Sequence, residues 1–238
     1  MSTEPVTVRA PAKPTVSLRI TGVRDDGFHL LDAEMVTIDL ADTLTFRPGD
    51  GLQITGGYSV VADDSNLVCR ALALVGRTAY VRVDKRIPPG AGLGGGSADA
   101  AAVLRWAGVE DPTRAATLGA DVPFCVRGGR ARVTGVGEVI EPLAFEERTF
   151  TLVLPPFGCS TVEVYRAWDR LGGPTGPGSN DLESAALEVE PRLAEWRDRL
   201  ADATGQTPQL AGSGSTWFVE GAFPGDDRLV VRSVDRVR

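Results

Sequence analysis

Histidine and cysteine are nearly missing from this 238-residue chain: His29 is the single histidine, and Cys69, Cys125 and Cys159 stand far apart without metal-ligand spacing. A Cys/His zinc cluster is excluded, as is a serine–histidine–aspartate triad on any histidine but His29. The cysteines are expected to be small buried hydrophobes. No apolar run reaches membrane-spanning length, and the opening Met1-Ser2-Thr3-Glu4-Pro5 has no signal-peptide character. That predicts a cytoplasmic protein with no membrane partner. Net positive charge is lacking too. At a formal charge of −7 and a pI near 4.9, the chain is not a general nucleic-acid binder, and a polyanionic ligand must be met by local donors and bases. Lysine is scarce beside arginine, which reads as compositional style without bearing on activity.

The rest of the composition, 42% hydrophobic and 24% charged, is that of an ordinary globular chain with room for one large domain or two small ones. Its most informative segment is Gly90-Ala91-Gly92-Leu93-Gly94-Gly95-Gly96-Ser97, entered through Pro88-Pro89 and followed by the alanine-rich stretch 98–104. Glycines at this density let the backbone approach a ligand, and a helix starting at the alanines points its free N–H groups back at the loop. This is an anion site, for phosphate above all. A Walker loop is excluded, because it needs a Gly-Lys-Ser/Thr ending, whereas here Gly96-Ser97 is followed by Ala98. Gly90, Gly92 and Gly95 do spell the dinucleotide fingerprint, with Glu110 and Asp111 about twenty residues on. Arg86-Ile87-Pro88-Pro89, however, parts the loop from the strand-like segment 79–84, where that fold allows no gap. A flexible linker is disfavoured by the strand and helix that frame the loop so closely.

Short strands are expected at 15–21, 33–40, 43–47, 52–55 and 79–84, with a helix over 66–74 that Asp63-Asp64-Ser65 can cap. Helices at 98–106 and 112–118 precede a turn, Gly119-Ala120-Asp121-Val122-Pro123, and a hairpin of 130–134 with 138–142. A strand at 150–154, helices at 162–171, 181–187 and 191–203, a Gly/Pro loop at 172–179, and a second glycine turn at 212–215 before a strand at 216–220 complete the pattern. Strands and helices alternate but are mixed with hairpins, which favours α+β. A boundary near Glu146-Glu147-Arg148 divides the chain into domains 1–147 and 148–238.

Taken in order, Pro11-Ala12-Lys13, the long glycine segment and Leu210-Ala211-Gly212-Ser213-Gly214-Ser215 resemble the three signature motifs of the GHMP kinases. Four further segments resemble the branch of that superfamily whose acceptor is a cytidyl-diphosphate polyol. They are Gly27-Phe28-His29, Gly119-Ala120-Asp121-Val122-Pro123, Gly135-Val136-Gly137-Glu138 and Ser179-Asn180-Asp181-Leu182-Glu183. The resemblance implies a two-domain α+β fold, with an N-terminal domain like ribosomal protein S5 containing a left-handed βαβ unit and a ferredoxin-like C-terminal domain. The implied reaction is ATP-dependent phosphorylation of the 2-hydroxyl of 4-diphosphocytidyl-2-C-methyl-D-erythritol, with Mg2+, by a monomer or weak homodimer that meets neither nucleic acid nor membrane. Another small-alcohol GHMP kinase, or a trimmed homologue that binds nucleotide without catalysis, are the alternatives.

By the same resemblance Asp121 is the catalytic base and Lys13 its partner. A carboxylate beside an ammonium stays ionised and oriented, while the lysine offsets charge on the phosphoryl oxygens. Pro89, Gly90, Ala91, Gly92, Leu93, Gly94, Gly95, Gly96 and Ser97 are expected to cradle the ATP phosphates, with Ser97 approaching Mg2+ and Asn66 close to the nucleotide base. Phe28 and Tyr165 are the expected stacking aromatics and His29 the cytosine contact. Lys85, Thr161, Gly212, Ser213 and Gly214 are expected to face the acceptor. Read without the family, Asp121 is a turn residue, Asn66 a helix cap and Gly212–Ser215 a tight turn. The chain departs from the family in carrying Thr15 where an asparagine is usual, and in being trimmed at 73–79, at 104–111 and after Phe218.

Overall fold

A computed structural model describes residues 4–176 and 178–236. The signal-peptide reading of Met1-Ser2-Thr3 and Pro177 of the Gly/Pro loop lie outside the described residues. The chain opens with strands β1 (Val6–Pro11), β2 (Thr15–Val23), β3 (His29–Val36), β4 (Ala41–Arg47) and β5 (Gly51–Gly56), then helix α1 (Leu67–Val75) and strand β6 (Tyr80–Lys85). Helices α2 (Gly95–Ala107), α3 (Pro112–Ala116) and α4 (Val122–Arg127) lead to β7 (Arg130–Gly135), β8 (Val139–Pro142) and β9 (Thr149–Val153). Helices α5 (Thr161–Arg170), α6 (Glu183–Val189) and α7 (Leu193–Thr204) come before β10 (Gln209–Leu210), β11 (Trp217–Glu220) and β12 (Leu229–Arg232).

Three four-stranded sheets result, in the orders β1-β4-β6-β5, β2-β3-β7-β8 and β10-β11-β9-β12. Only β5 and β6 pair in parallel among them, and α1 supplies the crossover that a parallel pair requires. The first sheet packs under α1 and α2, whose alanine face (Ala98, Ala101, Ala102) is fully buried with Leu44, Val81 and Val83. A second core joins β2 and β3 to α5, α6 and α7 around Trp168, Leu182 and Trp217. Between them Ile87 and Leu93 meet Phe150, Leu152 and Phe218, so the glycine loop is anchored in apolar packing shared by both halves of the chain.

Several elements differ from the sequence expectation, each for a physical reason. Helix α2 starts at Gly95 rather than at Ala98. Glycine's poor helix propensity hides its first turn, which tertiary packing holds. The third strand ends at Val36, because Thr37 donates to the Gly129 carbonyl and Ile38 bridges to Ser233 instead of continuing the pairing. Pro123 stands within the first turn of α4, a position proline tolerates, so the expected turn at 119–123 is a turn only as far as Asp121. Asn66, not Asp63-Asp64-Ser65, caps α1, its Oδ1 accepting from the Val68 N–H at 2.9 Å. All three cysteines are free; Cys125 and Cys159 are buried as expected, whereas Cys69 is half-buried.

Candidate active site

The glycine loop, the turn before α4 and the N-terminus of α5 enclose one cavity of about 1020 Å³. Gly90, Gly92 and Gly94 alternate through it at φ of 68°, 74° and 67°, which is left-handed backbone that favours glycine. At Gly92 nothing larger fits, since a Cβ there would lie 2.0 Å from the Ala211 carbonyl oxygen. The loop is tied to the second glycine turn through its backbone. The Gly90 carbonyl accepts from the N–H groups of Cys159 at 2.9 Å and Ser215 at 3.1 Å, and the Ala91 carbonyl from Thr216 at 3.1 Å. Beyond it the first turn of α2 presents unpaired N–H groups and the positive end of a helix dipole.

Lys13 sits beside this loop. Its backbone N–H donates to the Leu93 carbonyl at 3.0 Å, and its stem packs where a Cβ on Gly94 would come within 2.9 Å of Cε. The buried ammonium donates to the Thr15 hydroxyl at 3.1 Å and pairs with Asp121 Oδ2 at 2.9 Å. Thr15, short as it is, thus accepts from the lysine directly. Asp121 occupies the N-cap position of α4 yet makes no side-chain capping bond. An aspartate there ordinarily gives its carboxylate to the helix; this one is left to Lys13 and the cavity.

Lys85 is the second cation. It is 3% exposed, and its ammonium pairs with Asp42 and with Asp99 Oδ2, the latter at 2.7 Å. Asp42 Oδ1 also accepts from the Ile87 N–H at 2.9 Å, so this buried cluster braces the approach to the loop. Burial works against the ammonium, but the Asp99 and Asp42 carboxylates outweigh it and hold Lys85 above its ordinary value. One cation facing two carboxylates leaves one of them short. Asp99 is accordingly raised above its ordinary value, by burial against the pull of Lys85, and its Oδ1 has no partner.

At the other end of the cavity His29 Nε2 meets Asp169 Oδ1 at 2.8 Å. The His29 ring lies 4.8 Å from that of Tyr165 and edge-on to Trp168 at 5.4 Å. Burial, then the charge of Asp121, raises the Tyr165 phenol above its ordinary range, so it stays neutral. Phe28 is 59% exposed at the cavity mouth. The Thr161 hydroxyl and Ser213 Oγ share a hydrogen bond at 2.9 Å, joining α5 to the second glycine turn.

The structure gathers nearly all the residues the sequence singles out around this cavity: Lys13, Phe28, His29, Asn66, Lys85, Asp121, Thr161, Tyr165, Gly212, Ser213 and the loop from Pro89 to Ser97 except Leu93. Leu93 is buried in the shared core because its apolar side chain finds no place at a polar loop face. Gly214 also stands back, packed against Leu210 and Cys159. Lys85 reaches the cavity edge with its ammonium already engaged, and Asn66 has both ends of its amide used, on Val68 and on the Val61 carbonyl. Asp42, Asp99 and Asp169 were not singled out by sequence reasoning. Asp99 follows the glycine motif by two residues in the alanine-rich stretch, whereas nothing in the sequence signals Asp42 or Asp169. The chain's two lysines, Lys13 and Lys85, both stand at this cavity, so their scarcity is more than compositional style.

The family model described as the GHMP kinases N terminal domain matches residues 66–129, which include the glycine loop and Asp121. A solved homoserine kinase from Cytophaga hutchinsonii shares the fold at a TM-score of 0.62 and 16% identity, over 100% of this chain and 97% of that one. The expected α+β fold is therefore the two-domain GHMP kinase fold, and the chain is an ATP-dependent small-molecule kinase. One branch of that superfamily recurs among its relatives. A 4-diphosphocytidyl-2-C-methyl-D-erythritol kinase from Paracoccus denitrificans is 40% identical over 88% of this chain and 84% of its own length. A crystal structure of 4-(cytidine 5'-diphospho)-2C-methyl-D-erythritol kinase superposes at a TM-score of 0.75 and 31% identity, over 96% of this chain and 99% of that one. The chain belongs to the 4-diphosphocytidyl-2-C-methyl-D-erythritol kinase family.

Proposed function

We propose that the chain transfers the γ-phosphoryl group of ATP to the 2-hydroxyl of 4-diphosphocytidyl-2-C-methyl-D-erythritol. The relatives' names supply the substrate; the Lys13–Asp121 pair beside the glycine loop is the observation that carries the chemistry. Asp121 accepts the hydroxyl proton as the new O–P bond forms and the bond to the β-phosphate oxygen breaks, releasing ADP. Lys13 orients Asp121 and offsets charge on the transferring group, while the loop and the α2 N-terminus bind the phosphates. Asn66 lies on the nucleotide-base side. Phe28 and Tyr165 offer flat faces to the cytosine and His29 a hydrogen-bonding edge.

Both lysines at the cavity are already paired with carboxylates, which leaves much of the phosphate charge to backbone donors and to Mg2+. No cluster of three acidic, histidine or cysteine side chains able to hold a metal occurs among the described residues. Mg2+ is commonly held largely by substrate phosphates with few protein ligands; Ser97, which lines the cavity, would offer its hydroxyl oxygen. When bound, the ion supplies charge neutralisation along the phosphates. We further infer a cytoplasmic monomer or weak homodimer, divided near residues 147 and 148.

A coupled ADP-release assay with the cytidyl substrate beside unrelated alcohols tests this reading. Turnover confined to the cytidyl substrate and lost in Asp121→Asn is the expected result. Turnover with another alcohol instead selects a sister kinase, and ATP binding without transfer selects a non-catalytic homologue.

A further inference from the structure

The segment Gly135-Val136-Gly137-Glu138 has no part in the roles above, yet it forms the turn between β7 and β8 beside the catalytic aspartate. Gly135 and Gly137 hold φ of 71° and 114°. Glu138 folds back over the turn, its Oε2 accepting from the Val136 N–H at 2.6 Å. A Cβ on Gly135 would meet the two Glu138 carboxylate oxygens at 2.5 and 2.7 Å. The far side of the turn presses on Ala120: a Cβ on Gly137 would lie 2.8 Å from the Ala120 Cβ and 2.9 Å from its carbonyl oxygen. On the opposite flank a Cβ on Gly119 would stand 4.0 Å from Ser97 Oγ. The turn therefore packs closely on Ala120, while the Gly119 side toward the phosphate loop is looser. The Asp121 side chain makes no bond to its own helix, so its carboxylate position follows from the Lys13 contact and from where this packing holds the backbone before it.

We propose that the turn from Gly135 to Glu138 sets the position of Asp121, with Glu138 as its positioning residue. The inference rests on Asp121 being the base, and it adds a coupling: Val136, in the same turn, lines the cavity, so a substrate pressing on the turn bears on the base. Glutamine retains a carbonyl acceptor for the Val136 N–H, and alanine does not.

The test compares Glu138→Gln, Glu138→Ala and Asp121→Asn in the full chain, reading kcat, KM for the cytidyl substrate, ATP affinity and amide hydrogen exchange over residues 119–122. Glu138→Ala is expected to lower kcat by about 10- to 100-fold at unchanged ATP affinity, as a base displaced by roughly 1 Å would. Exchange over 119–122 should quicken in the same variant, and Glu138→Gln should stay within about 3-fold of the parent. Equal losses in the two Glu138 variants would overturn the proposal, because the carboxylate charge would then act on the substrate directly. An active alanine variant, or lost activity with unchanged exchange at 119–122, overturns it as well. Should Glu138→Ala not fold, Gly137→Ala takes its place by driving a methyl into Ala120, and retained kcat there is a refutation. A parent chain without phosphoryl transfer, or a fully active Asp121→Asn, counts against the kinase reading alone; the exchange measurement still decides the coupling.

Discussion

The Lys13 ammonium reaches Asp121 at 2.9 Å from a buried position, while the Asp121 side chain keeps 31% of its surface exposed. The pair is thus asymmetric. Its cation is fixed by the loop backbone and Thr15, and its carboxylate is open on the side away from the lysine. In the proposed reaction, a hydroxyl entering the cavity meets this carboxylate on its open side.

Asp121→Asn keeps the shape of that arrangement and removes the proton acceptor. The expected outcome is a fall in kcat of about 10²- to 10⁴-fold, the usual contribution of general base catalysis. ATP affinity should change little, and equilibrium binding beside the ADP-release assay separates the two.

Lys85→Met leaves Asp42 and Asp99 buried together without their cation. Breaking a buried pair by removing one partner costs about 3–5 kcal/mol. A shift of that order in urea unfolding, against a small one for exposed Arg86→Met, is the expected contrast; similar shifts would disprove the bracing role.

Asp99 titrates above its ordinary value of 3.8 in the folded chain, chiefly through burial. Between 3.8 and the raised value the folded state holds a proton that the unfolded chain has released, so the contribution of Asp99 to stability falls as pH rises through that window. Asp99→Asn removes this dependence. Its unfolding free energy relative to the parent should therefore improve steadily from about pH 4 to about pH 8, and a flat difference would contradict the assignment.

At Gly92 a methyl would enter the Ala211 carbonyl at 2.0 Å and require φ of 74°. Gly92→Ala is expected to part the two glycine turns and lose stability by at least about 1–3 kcal/mol, with ATP binding lost alongside. Gly108→Ala also has positive φ but nothing within 4 Å, and so measures the backbone contribution alone.

Chemistry was more legible in the sequence than its support. The glycine loop announced itself because a close backbone approach admits few other residues, and Lys13 and Asp121 followed from their place in ordered motifs. Helix α2 was misplaced at its start because Gly95 and Gly96 carry no helical preference of their own. The bend at Thr37 was hidden because its partners, Gly129 and Ser233, lie far along the chain. For the same reason Asp42 could not be seen. Its importance lies in a lysine and two amides that only the folded sheet brings to it.

With Lys13 and Lys85 both sequestered at the cavity, no lysine stands on the outer surface. Acylating labels and amine-coupled supports therefore find no side-chain amine to attach to without entering the site. Uptake at these two lysines, counted apart from the chain's terminal amine, becomes a gauge of how far the cavity opens, and a bound nucleotide should suppress it.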